Sequence, residues 1–550
     1  MKPSTHTRVK AAVALVLLML LAFLPAVRVR AEEGMFLPDM IDSLPLDKLK
    51  KRGLKITPRD LYDPNGVSIK DAIVIVGGGT GEFVSPEGLL LTNHHVAFEA
   101  LVAASTPEKN YGETGYAAMS RAEELPAEGY TVSITQELKN VTGEVLAGVN
   151  ADMSQAARNR AIQTKIRELE AVGNNPAEGL RVRVQALNDG MWYYKFTYLV
   201  LRDVRVVYAP PESIGFYGGD DDNFEWPRHC GDFTFMRAYV GADGKPADYS
   251  KNNVPYKPKK FLPISLDGIK EGDVTLMMGY PGTTRRYRES YSVAFNRDSL
   301  LPFQVDFYTN QIRILEDMSK RDRELAVSLQ SRLADLNNTM KNFAGSVLAL
   351  RRENVLEKKR AAEAEFTRWV NAGDAARKAK YGSVLPSLEE AYKGYDRMAI
   401  RDLLANQIFG ASDLLGIAFF AQQIAADKEK PENERNAALG GANIARARTL
   451  ISSTLARRNP TVERELLTYM LRAADELPAD QKIPVIEKRF GALKGEARRR
   501  AEEDFARAVV DSKEFGTAEA LSGLFDRSLS QLREVRDPLI EFASELGLES

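Results

Sequence analysis

Cysteine is almost missing. Cys230 is the only one in 550 residues, so no intrachain disulfide can form and stability has to come from packing. Histidine is nearly as scarce: His6 lies close to the N-terminus, and only His94, His95 and His229 remain. No His-x-x-x-His or Glu-x-x-His cluster occurs, so the usual zinc spacing is absent and no metal or cofactor is expected. A basic excess is lacking too. Lys+Arg number 75 against 76 Asp+Glu, a net charge of −1, which removes the electrostatic case for nucleic acid.

Long apolar runs are limited to one, Ala11 to Val27, preceded by Lys2, Arg8 and Lys10 and followed by Val29-Arg30-Ala31. Charge, apolar stretch and small residues in that order read as a signal peptide over residues 1–31. A retained anchor is the alternative, although the run is slightly short of the roughly 20 residues a span needs. The expected location is the periplasm or the medium. Hydrophobic residues at 44% and charged residues at 27% suit a soluble globular protein, and the length calls for two or more domains.

Glycine divides the rest of the chain. Of 39 glycines, 26 precede residue 297 and 13 follow it. The first stretch reads as strands and turns: Asp71 to Val76 ending in Gly77-Gly78-Gly79, then Gly88 to Thr92, Tyr193 to Val207 and Asp232 to Val240. Asn150 to Ala171 looks helical. After about Ser299 apolar residues recur at steps of three and four: Leu301, Val305, Tyr308, Ile312 and Leu315, then Leu329, Leu333, Leu336, Met340, Phe343, Val347 and Leu350. That spacing predicts long helices packed along their length, interrupted near Pro386, Pro431, Pro460, Pro478 and Pro538. The expected class is β + α: a β-rich region over 32–296, then an all-helical one over 297–550.

Two segments concentrate polar chemistry. His94 and His95 follow the apolar run Gly88–Thr92. Neighbouring strand residues face opposite ways, so the pair is poorly placed to share a metal, whereas one of them at a strand end suits a general base. Taken alone, adjacent histidines are more often structural or solvated. The second segment runs from Gly218 to Phe235. Asp220 to Asp222 lack the EF-hand ligand spacing and read as a solvated turn. Asp232 opens an apolar strand, where a carboxylate is a capping group or a buried partner for a base.

The strings GGGTGEFVSPEGLLLTNHH, VRVVYAPPESIGFYGGDDDNFEWPRHCGDFTF and MMGYPGTTRRY, in this order, resemble the bacterial periplasmic serine dipeptidyl-peptidases of types 7 and 11. The similarity covers nearly all of the chain from about Glu33 and includes LNNTMKNFAG among the helices. It implies a chymotrypsin-like β-barrel followed by a helical domain, oligopeptide substrates, release of dipeptides from a free N-terminus, and a homodimer. It assigns the triad base to His95 and the triad acid to Asp232. It places Asn223 and Asn338 at the substrate's α-amino group, with Phe224 where the family usually has tryptophan. Asn338 lies off the apolar stripe, free to face a cleft, though a solvated helix position is the other reading.

Departures accompany the matches. Members commonly carry one cysteine before the Thr-Gly-Glu motif and another after the histidine pair; here Gly79 leads straight into Thr80, and Val96 follows His95. Cys230 replaces a common threonine. The family's nucleophile sits in a Gly-Asn-Ser-Gly-Ser-Pro segment of a second β-rich stretch, and no such segment occurs in these 550 residues. The expectation is a chain that stops before the serine, with an incomplete second barrel. Gly345-Ser346, Gly382-Ser383 and Ser522-Gly523 imitate the motif only locally, within the helical region. A non-catalytic peptide-binding protein is the alternative. Expression in a Gram-negative host tests the leader: a mature protein beginning at Glu32 in the periplasmic fraction is expected, and a membrane-bound chain retaining residues 1–31 refutes cleavage.

Overall fold

The computed structural model describes residues 35–547, apart from 45, 107, 151, 433–434 and 437–438; the expected leader lies outside them. Two compact units are present. The smaller comprises residues 35–70 and 265–277 of the described chain. It holds the short helices Leu46–Lys51 and Pro58–Leu61, the second started by a Thr57/Asp60 capping box, and it buries Leu49 and Leu61. The larger unit, 71–264 with 278–547, holds both the sheet and the long helices.

The sheet begins with β1 (Ile73–Val76) and β2 (Gly79–Phe83), a hairpin with Val76 opposite Gly79. Its two-residue turn requires positive φ at both Gly77 (55°) and Gly78 (94°), which explains glycine there. The remaining strands are β3 (Leu89–Thr92), β4 (Tyr116–Ala117), β5 (Leu125–Pro126), β6 (Val132–Asn140) and β7 (Leu180–Leu187). They are followed by β8 (Trp192–Leu201), β9 (Asp203–Ala209), β10 (Thr234–Val240) and β11 (Val254–Pro255). All pairings are antiparallel, in the order β4-β9-β10-β3-β2-β1-β6-β8-β7, with β5 on β9 and β11 on β10. Only Arg202 separates β8 from β9, so the strip of strands returns to its own start. One face is shared: Val74, Val76, Phe83, Leu90, Val132, Ile134, Val204, Val206, Met236 and Ala238 form a single buried core. The far end of the sheet is β7, whose one strand partner is β8. There the Glu170 carboxylate accepts the Val184 N–H at 2.9 Å and faces Arg183 at 3.6 Å.

Two helices are set against the sheet, α1 (His94–Ala103) and α2 (Gln155–Ala171). The helical region then runs through α3 (Leu301–Ser319), α4 (Arg323–Arg352), α5 (Val355–Asn371), α6 (Val384–Phe409), α7 (Asp413–Lys428), α8 (Gly441–Arg457), α9 (Pro460–Asp475), α10 (Gly495–Val510) and α11 (Pro538–Gly547). The apolar stripe of α3 and of the start of α4 is covered as expected, with Leu315 and Leu329 buried. The centre of the helical core lies further along, among Leu404, Ile408, Leu414, Leu466, Leu467, Leu471 and Phe542. Pro460 and Pro538 open helices, whereas Pro386 sits inside the first turn of α6, where a missing N–H costs nothing. No single helix among the described residues is long and apolar enough to cross a membrane.

Two expectations need correction. Tyr193 to Val207 is not one strand, because the chain turns at Arg202 between β8 and β9. The β-rich region does not extend to 296: after β11, residues 256–289 contain neither helix nor strand. Part of that stretch, 265–277, belongs instead with the N-terminal unit.

His94 shows how tightly the larger unit is built. It is 2% exposed, its ring lies tilted 5.8 Å from that of Phe98, and a Cβ on Gly215 would come within 2.5 Å of it. The Pro210 backbone bonds one ring nitrogen, and buried Nε2 has no partner among the described residues. Burial lowers the His94 pKa below its ordinary value of 6.5; the charge of Asp232 opposes this and His95 adds to it. The unfolded chain therefore binds this proton more readily than the folded one. The stabilisation is complete above pH 6.5 and is lost as pH falls below it. Urea unfolding midpoints should drop between pH 7 and 5. His94→Asn, which cannot charge, should cost about 1–2 kcal/mol at pH 7 but flatten that slope; an unchanged slope refutes the assignment.

Candidate active site

The register of the sheet creates the site. Thr234 of β10 lies opposite Thr92 of β3, so the residues just before β10 meet those just after β3. Asp232 thereby reaches the start of α1. The histidines occupy the first two positions of that helix, not the end of a strand, and the first helical turn sends them to opposite sides: His94 inward, His95 outward. The imidazole Nδ1 of His95 lies 2.9 Å from Asp232 Oδ2, with the His95 side chain 68% exposed and that of Asp232 20%.

Asp232 also does the work of a helix cap. Asn93 holds the N-cap position but makes no capping bond of its own. Its Nδ2 turns instead to Asp232, at 3.2 Å from the backbone carbonyl and 3.1 Å from Oδ2. The His95 backbone N–H, one of the helix's free donors, is accepted by Asp232 Oδ1 at 3.1 Å. Burial alone would raise the Asp232 pKa. The bonds and charge from His95, aided by Asn93, outweigh it and hold the carboxyl below its ordinary value. An ionised acceptor on Nδ1 fixes the tautomer that leaves Nε2 bare. No described residue bonds to His95 Nε2.

The second pair lies nine residues earlier in the chain and on α4. Asn223 is buried, 8% exposed, and its Nδ2 donates to Asn338 Oδ1 at 2.9 Å. Asn338 thus faces the sheet's loop and not open solvent. Asn223 Oδ1 in turn accepts from Arg228 at 3.4 Å. Both amide carbonyls, expected to stand free for an ammonium, already hold one bond, although a carbonyl has a second lone pair to offer. Phe224 is 51% exposed and sits at φ 60°, a left-handed conformation costing a non-glycine residue about 1–2 kcal/mol. Such strain is characteristic of residues held for function.

The other candidates are quieter. Asp220, Asp221 and Asp222 lie in the helical turn Gly219–Asp222, and among the described residues no His, Cys, Asp and Glu cluster is arranged for a metal. Arg228 donates to Cys230 Sγ at 3.3 Å. His229 is exposed. Ser346 and Ser522 lie within helices, the second accepting from Arg448. Sequence reading missed Asn93, whose residue type and place before a helix were the available signal. It also missed Arg228 and Lys341, cations that no pattern singles out.

The family model described as Peptidase S46 matches residues 31–550. Dipeptidyl-peptidase 7 of Capnocytophaga gingivalis is 38% identical over 395 residues, 71% of this chain and 54% of that protein. The Asp/Glu-specific dipeptidyl-peptidase of Porphyromonas endodontalis is 32% identical over 551 residues, 96% of this chain and 73% of that protein. The crystal structure of Porphyromonas endodontalis DPP11 with the dipeptide Arg-Asp is similar at a TM-score of 0.76 and 28% identity, covering 94% of this chain and 73% of that one. The match spans about half the length of some curated relatives. With the profile extending over nearly the whole sequence and the solved structure sharing its architecture, this chain belongs to the peptidase S46 family.

Proposed function

We propose that this chain is the base-bearing part of an exported, serine-type dipeptidyl-peptidase that releases dipeptides from the free N-terminus of oligopeptides. The observation that carries the reading is the His95–Asp232 pair, 2.9 Å apart at the mouth of a rigid sheet. Asp232 orients the imidazole and stabilises its charged form. His95 Nε2 takes the proton from an attacking hydroxyl and returns it to the leaving amine. Asn223, Asn338 and the Phe224 ring receive the substrate's α-ammonium. The names of the relatives and the peptides bound in the solved structures support this substrate class; a homodimer is part of the same proposal.

Nucleophile and oxyanion donors are the parts that this reading does not find among the 550 residues. The chain by itself is therefore expected to hydrolyse nothing. Joined to the serine-bearing β-rich segment of a relative, it should cleave dipeptidyl chromogenic substrates and react with a phosphonylating reagent. In the joined protein Asp232→Asn, which favours the wrong tautomer, should lower kcat by about four orders of magnitude. Hydrolysis by the short chain that vanishes on His95→Ala would refute the missing nucleophile.

A second reading, a peptide-binding protein without hydrolysis, is favoured by the bare Nε2 of His95. The two readings share the amine anchor. An acylated amine has no charge to offer Asn223 and Asn338, so blocked peptides should be turned over poorly by the joined protein, and Asn223→Ala should weaken turnover of unblocked ones about tenfold or more. Equal turnover of blocked and unblocked peptides would overturn the exopeptidase assignment. Specific binding of unblocked dipeptides with no turnover after joining would establish the second reading.

A further inference from the structure

Little within the loop before β10 fixes where Asn223 points. Residues 223–233 contain neither helix nor strand, and Phe224 occupies a left-handed conformation that the chain does not adopt spontaneously. Restraint arrives from α4, through two side chains one turn apart. Asn338 accepts from Asn223. Lys341 donates from Nζ to the Asp221 backbone carbonyl at 2.5 Å and stands 3.6 Å from the Glu225 carboxylate. Its side chain is only 25% exposed. Burial, then the neighbouring Asp221, raises the Asp220 pKa above its ordinary value; Lys341 opposes this and Glu316 of α3 adds to it. The ammonium thus meets the loop on both sides of Asn223, before it at the Asp221 carbonyl and after it at the Glu225 carboxylate. A charge-assisted bond screened from water is among the stronger single tethers available to a loop.

We propose that Lys341 is a positioning residue for the amine anchor: it pins residues 220–225 to α4 and so sets Asn223 against Asn338. It touches no substrate and acts through those two amides. Spacing supports the assignment, since Asn338 and Lys341 are three apart and project from one face of the helix. The functional consequence rests on the amine-anchor reading; the pinning itself does not.

The test uses the 550-residue chain with Lys341→Met, which keeps length and loses charge, and Lys341→Arg, which keeps charge. Hydrogen exchange reports on the loop. In Lys341→Met, amides of residues 220–225 should exchange about tenfold faster, the loss expected of one charge-assisted bond, while those of β1 and β3 remain unchanged. Lys341→Arg should exchange as the parent does. Calorimetry with an unblocked dipeptide amide and its N-acetylated form reports on the anchor. The methionine variant should bind the unblocked probe about tenfold more weakly, and the arginine variant should retain affinity. Unchanged exchange in Lys341→Met overturns the pinning. Faster exchange with unchanged affinity overturns its link to the anchor. If the parent chain does not prefer the unblocked probe, the amine-anchor reading fails, and exchange alone then decides whether Lys341 pins the loop.

Discussion

One carboxylate holds the corner on which the site is built. Asp232 stands two residues before β10, and its oxygens collect the Asn93 amide, the His95 backbone N–H and the His95 ring. The first two bonds are structural: they finish β3 and start α1, a helix whose own N-cap residue has turned away. The third is chemical. Because the same group performs both tasks, the helix cannot be capped without the imidazole being oriented, and the ring inherits its aim from the pairing of β3 with β10. A helix cap is worth about 1 kcal/mol, a modest sum spent on something a catalyst needs anyway.

The pairing of His95 with Asp232 was legible in the sequence because each lies in a contiguous motif, and the resemblance supplied the roles. Position in the fold was less so. The apolar run Gly88–Thr92 suggested a strand continuing through the histidines, yet the chain enters a helix at His94. The cap that makes this possible comes from 137 residues away, and no local rule can see it. Arg202 is similar. Tyr, Phe and Val recur on both sides of it, and the break between β8 and β9 falls inside that run. A run of apolar residues reports burial, not the direction of the chain.

The helices divide in the same way. Heptad-like spacing identified α3 and α4 because each has one covered face. The more central helix α7 buries residues on several sides, as Leu415, Ala418, Ile424 and Asp427 do, and a helix covered nearly all round gives little periodic signal. The amine anchor sits between these regimes. Asn223 and Asn338 were named from motifs, but whether their carbonyls stood free depended on Arg228 and on which way each amide turned, matters of tertiary contact alone.

An open sheet invites company, since unpaired N–H and C=O groups will accept a strand from any neighbour. Strand β7 is one such edge here, with β8 as its one strand partner. Glu170, at the end of α2, already occupies the Val184 N–H and at the same time attracts Arg183. A foreign strand approaching that rim would have to evict a charged side chain before its own ladder could begin.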